Sequence, residues 1–87
     1  MKKIMIVASV TRPGKQEGSR QSCCVPTFYV EASDVQEAAN QGEKVIDPHQ
    51  TALLVSISAF QLEDFQYAHL LVERDTPEAT TRRRWST

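Results

Sequence analysis

The side chains with the most capacity for chemistry in this chain are rings and cations, and they fall in separate stretches. Phe60, Phe65, Tyr67 and His69 crowd one part of the C-terminal half, Tyr29 stands apart, and Arg12, Lys15 and Arg20 sit in RPGKQEGSRQS, a segment with no hydrophobic residue. If residues 65–73 form a strand, Phe65, Tyr67 and His69 make one outward row, with Phe60 and Tyr29 on neighbouring strands of the same face. Rings exposed on a sheet stack on nucleobases, each stack contributing about 1–3 kcal/mol, and a cationic loop beside them holds phosphates. The same rings could instead fill a small interior.

Other chemistry finds little support. The chain has no Walker loop, GxGxxG or HExxH, and only three glycines from which to build a phosphate cradle. Glu31, Asp34 and Glu37 could be imagined as an acid–base group, but positions at a strand end and a helix start explain them as caps and solvated charge. Cys23 and Cys24 are sequence neighbours, which disfavours a mutual disulfide, and His49 and His69 lie far from them without zinc-ligand spacing. One cysteine is expected to point inward and the other outward from a strand. No catalytic activity, metal or cofactor is expected.

The net charge of −1 conceals an asymmetry. Residues 1–22 carry Lys2, Lys3, Arg12, Lys15 and Arg20 against Glu17, a balance of +4, and residues 31–78 carry ten acids against Lys44 and Arg74, a balance of −8. Arg82, Arg83 and Arg84 add +3 in a tail that ends in Trp85, Ser86 and Thr87. An acidic body of this kind could steer the domain onto a basic protein surface, or simply keep it solvated.

The elements that must position these groups follow from hydropathy patterning. KIMIVASV (3–10) is a nearly continuous apolar run of strand length, and Thr11–Gly14 ends it. The polar stretch 12–22 reads as an exposed mobile loop or the tip of a long hairpin. CVPTFYVE (24–31) alternates as a second strand, Phe28 and Val30 opposite Thr27, Tyr29 and Glu31, with Pro26 marking an edge or bulge. Ser33 as cap and Gln36 completing a capping box open a short helix over about 34–41, closed by Gly42. Residues 44–47 suit a short strand before Pro48. TALLVSISA (51–59) is a further strand, with Leu53, Val55 and Ile57 facing in. The stretch 61–74 fits helix and strand patterns almost equally. Residues 77–87 should form a flexible basic tail beyond a single domain over 1–76.

Thr11-Arg12-x-Gly14 in a polar basic loop, Phe28-Tyr29-Val30-Glu31 ending a strand, and Ser58-Ala59-Phe60-Gln61-Leu62-x-x-Phe65 together resemble the layout of the filamentous-phage single-stranded-DNA-binding proteins over about residues 11–74. The resemblance implies an open OB-type barrel that dimerises, with Arg12, Lys15 and Arg20 on phosphates and Tyr29 and Phe65 stacked on bases.

The expectation is therefore a β-rich α+β domain: a four- or five-stranded antiparallel sheet or OB-like barrel with one short helix. It should be cytoplasmic and a homodimer, since a core this small is marginal alone. The expected function is sequence-tolerant binding of single-stranded nucleic acid (DNA) through Arg12, Lys15, Arg20, Tyr29, Phe60, Phe65 and Tyr67. The competing expectation is a phage- or plasmid-type accessory protein that docks on a protein partner through its acidic face.

Overall fold

A computed structural model describes residues 1–86 and contains β1 (Lys2–Pro13), β2 (Arg20–Ala32), α1 (Val35–Ile46), β3 (Leu54–Gln61), β4 (Gln66–Glu73) and β5 (Arg82–Ser86). The fold is α+β: one open five-stranded antiparallel sheet, in the order β2-β1-β3-β4-β5, with the single helix on one face. Of the two architectures expected, the open sheet is the one formed.

Period-two alternation decides which side chains meet the helix. Ile4, Ile6, Ala8 and Val10 of β1, Val55, Ile57 and Ala59 of β3, and Ala68, Leu70 and Val72 of β4 are buried under Val35, Ala38 and Ala39 of α1. Phe28 and Val30 of β2 pack at the margin of this core. Residues 66–73 are strand, with Ala68, Leu70 and Val72 inward and Tyr67, His69 and Leu71 on the other face.

Several local expectations are corrected. The helix runs past Gly42 to Ile46, so no strand forms over residues 44–47. Gly42 lies inside the helix because the sheet comes close there: a Cβ on it would sit 3.3 Å from Ile6 Cγ2 and 3.7 Å from Ile57 Cγ2. The N-cap is Asp34, one residue after the expected Ser33; its carboxylate accepts the Glu37 N–H at 2.8 Å, while the Glu37 carboxylate reaches back to the Ser33 N–H at 3.2 Å. Hydrogen bonds from Ser33 hold the Glu37 carboxyl below the usual glutamate range. Cys23 and Cys24 are free and both exposed, because they lie on the outer strand β2.

Residues 82–86 are not a flexible tail but the edge strand β5, paired antiparallel with β4 from Glu73↔Arg82 to His69↔Ser86. Each of its arginines meets an acid: Arg82–Asp75 at 3.0 Å, Arg83–Glu43 at 3.0 Å, and Arg84–Glu73. The connection after the helix is held by Asp47, a buried residue whose carboxylate accepts the N–H groups of Thr51 and Ala52, both at 3.1 Å, and a bond from Arg74 Nη1 at 3.3 Å. Arg74, itself buried, also donates to the Ala52 carbonyl at 2.9 Å and to Thr81 Oγ1 at 2.8 Å, which ties the ends of β3, β4 and the approach to β5 to one carboxylate.

Candidate binding surface

The helix covers one face of the sheet. On the other, the strand registers align Tyr29 (β2), Met5 (β1), Phe60 (β3) and Tyr67 (β4) in one cross-strand row. Phe60 and Tyr67 touch with ring centroids 4.9 Å apart and planes tilted by 40°. Lys3 Nζ lies 5.0 Å from the centroid of the Tyr29 ring, a cation–π contact. Lys3, Met5, Tyr29, Phe60, Leu62 and Glu63 enclose a shallow hollow of about 190 Å³ beside this row.

The row runs into the β3–β4 turn, where Gln61 pairs with Gln66 and residues 62–65 make the reversal. The Phe65 N–H donates to the Leu62 carbonyl at 3.4 Å, and the Asp64 N–H donates to Gln61 Oε1 at 2.9 Å. Phe65 closes the turn at φ 53°, the left-handed region where glycine or asparagine is preferred. Its ring makes almost no use of the fold, being 93% exposed, and Leu62 beside it is 69% exposed. A large apolar residue therefore occupies a strained backbone position without gaining burial.

This end of the molecule is acidic. Glu31, next to last in β2, lies opposite Lys3, Asp34 caps the helix and Glu37 is in its first turn, and Glu63 and Asp64 occupy the β3–β4 turn. Lys2 bridges to Asp64 at 2.8 Å, and that hydrogen bond and the charge of Asp64, with smaller help from Glu63 and Asp34, hold its ammonium above the ordinary lysine range. Five carboxylates against Lys2 and Lys3 leave a local balance of −3.

The cationic loop is elsewhere. Residues 14–19 form the tip of the β1–β2 hairpin, closed by the Gly14 N–H on the Ser19 carbonyl at 2.9 Å. Seven residues of β1 separate Met5 from Arg12, about 24 Å at about 3.4 Å per residue, in a molecule 44 Å long. Arg12 also faces the helix side, where Nη1 meets Asp47 at 3.4 Å and Nη2 donates to the Ile46 carbonyl at 3.1 Å. Lys15 and Arg20 carry no ion pair among the described residues. The structure thus brings Tyr29, Phe60 and Tyr67 together with Phe65 nearby, and sets Arg12, Lys15 and Arg20 at the opposite end. The expected adjacency of the two groups is not formed.

Lys3, Met5, Leu62 and the turn carboxylates Glu63 and Asp64 join the surface without having been expected as contact residues from the sequence. Their only local signal is position: all lie within three residues of an expected ring or at the start of the first strand. Ser56 Oγ and His69 Nε2 are hydrogen-bonded at 2.8 Å on the same face, a pairing of nucleophile and base types. Both belong to paired strands, whose backbone N–H groups serve the ladder rather than a developing oxyanion. No group of three or more His, Cys, Asp or Glu able to hold a metal occurs among the described residues, and no helix among them is long and apolar enough to cross a membrane. No protein-family profile matches the chain, and neither a search of curated proteins nor one of solved structures finds a match.

Proposed function

We propose that this domain is a non-catalytic protein-docking module whose contact surface is the acidic, ring-bearing end of the sheet. Phe65 is the anchor, with Leu62 beside it in the turn and Tyr29 lining the same hollow as Leu62, and Glu31, Asp34, Glu63 and Asp64 form a rim that favours a basic partner. The observation that carries this reading is Phe65 itself, 93% exposed and held at φ 53°. Strain of this kind gathers at functional positions, and exposed aromatics within a polar rim are what interface hot spots are built from. The carboxylates would steer encounter and make the association rate fall with salt.

A second reading keeps single-stranded nucleic acid as the partner, favoured by one observation: Tyr29, Phe60 and Tyr67 lie in one cross-strand row with Lys3 against Tyr29. The local charge opposes it, since a polyanion over this row would meet more carboxylates than cations.

One pair of titrations separates the two. Binding of arginine- and lysine-rich peptides carrying an apolar anchor, and of an oligothymidylate of about 20 nucleotides, is followed at about 50 and 200 mM salt. Docking predicts that peptides bind, that Phe65→Ala weakens them about tenfold, and that Glu63→Lys slows association. Oligothymidylate binding with a steep salt slope, unaccompanied by peptide binding, overturns it in favour of the nucleic acid.

A further inference from the structure

We infer that the hollow between the start of α1 and the β3–β4 turn receives the free amino terminus of a partner chain. Lys2, Asp34, Val35, Gln61, Asp64 and Gln66 line it, and its volume is about 220 Å³, the share of about seven waters. Lys2, Gln61 and Gln66 fall in step with the inward residues of their strands, so the hollow lies on the helix side of the sheet, away from the row of Tyr29, Phe60 and Tyr67. The protein itself shows what the hollow takes: the Lys2 ammonium sits 2.8 Å from Asp64 Oδ2, with Asp34 and Glu63 adding their charge. Both members of that pair are about half exposed, so the pair is weak and a competing ammonium can replace Lys2. Asp34 Oδ1 accepts the Glu37 N–H at 2.8 Å, which leaves its second oxygen for a newcomer.

An ammonium alone does not account for Gln61. This residue is only 3% exposed, and its Oε1 accepts the Asp64 N–H at 2.9 Å. That bond assigns the amide: its other end, Nε2, donates to no group among the described residues, while Gln61 lines the hollow. A buried donor of this kind calls for an acceptor. An α-ammonium followed by a peptide carbonyl brings the cation and the acceptor in one small unit. A lysine or arginine side chain brings only donors. A free amino acid also brings an α-carboxylate, which Asp34, Glu63 and Asp64 repel. The first residue of a peptide chain is therefore the occupant. The inference rests on the docking reading for its protein partner, since Asp34 and Asp64 belong to that rim, and it names one group of that partner.

Titration of the labelled full chain with alaninamide to about 50 mM, followed by NMR, tests the inference. The expected result is saturable shifts at Lys2, Asp34 to Gln36 and Gln61 to Gln66, with the Gln61 side-chain amide among them. N-acetylalaninamide, which lacks the ammonium, should bind about tenfold more weakly, and ethylamine, which lacks the carbonyl, should leave the Gln61 amide unmoved. Alanine should bind more weakly than alaninamide, which separates a chain terminus from a free amino acid. Lys2→Met, which removes the resident ammonium, should tighten alaninamide about threefold. Asp64→Asn, which keeps the turn N–H bonded to Gln61, should weaken it about tenfold. Anchored basic peptides acetylated at their own amino terminus read the docking surface without this hollow, so either proposal can fail alone. Alaninamide that moves none of these resonances in wild type or Lys2→Met, or N-acetylalaninamide that moves them as strongly, overturns the inference.

Discussion

Phe65→Gly should make the protein more stable, although it deletes a whole aromatic side chain. At φ 53° the Phe65 Cβ crowds the backbone, a penalty of about 1–2 kcal/mol for an L-residue in the left-handed region. Glycine removes that penalty but loses more chain entropy on folding, about 0.5–1 kcal/mol. The ring contributes no compensating burial, since it is 93% exposed. The net expectation is a gain of about 0.5–1 kcal/mol, or about 2–8 °C in Tm for a domain of this size. Phe65→Ala is the internal control, because it deletes the ring but keeps the Cβ and the strain, and should change stability by less than about 0.5 kcal/mol. Urea unfolding followed by circular dichroism measures all three proteins. A Phe65→Gly variant destabilised by 1 kcal/mol or more, beyond the ~0.5 kcal/mol scatter of surface substitutions, would mean that the ring supports the fold, and the functional reading of its exposure would lose its basis.

Other expectations follow from single contacts. Asp47→Ala should cost about 3–5 kcal/mol in urea unfolding, because it strands the buried Arg74 guanidinium, whose Nη2 already has no partner among the described residues, and frees the Thr51 and Ala52 N–H groups. Gly42→Ala should be nearly neutral, a helix-propensity gain of about 1 kcal/mol offsetting a 3.3 Å approach to Ile6 Cγ2, whereas Gly42→Leu should cost about 1–3 kcal/mol by lifting the helix from the sheet. The Asp75 carboxyl is held below the ordinary aspartate range by its hydrogen bond to Arg82 and by that residue's charge, so carboxyl NMR should show its midpoint rising in Arg82→Ala. A depressed folded value contributes stability above the ordinary aspartate range and loses it as pH falls through the folded value; the small stability difference between wild type and Arg82→Ala should therefore be full at neutral pH and vanish in acid.

Alternation made the sheet legible. Ile4, Ile6, Ala8 and Val10, or Leu53, Val55 and Ile57, announce their inward face without knowledge of a partner, whereas residues 61–74 fit helix and strand patterns almost equally until their pairing with β3 fixes them as strand. What could not be read depends on residues far apart in the chain. Gly42 has the type of a helix terminator, but its position is set by Ile6 and Ile57 approaching from the sheet. Arg12 in a polar loop has the look of a phosphate contact until Asp47, 35 residues on, takes its guanidinium. The arginines of β5 read as a solvated tail because the acids that neutralise them, Glu43 in the helix, Glu73 at the end of β4 and Asp75 just beyond it, meet them only once β5 pairs with β4. Phe65 was legible as a ring but not as a strained turn residue, since neither glycine nor asparagine marks the turn. The candidate surface was half visible for the same reason: its rings have a local pattern, while their distance from the cationic loop is a property of the folded hairpin.

Backbone amide shift mapping by NMR, with a labelled chain titrated by an arginine-rich peptide carrying one apolar anchor, tests the docking proposal most directly. The account predicts perturbations confined to residues 29–34 and 62–67 and abolished by Phe65→Ala. Perturbations centred on residues 12–20 instead, unaffected by that substitution, would contradict it.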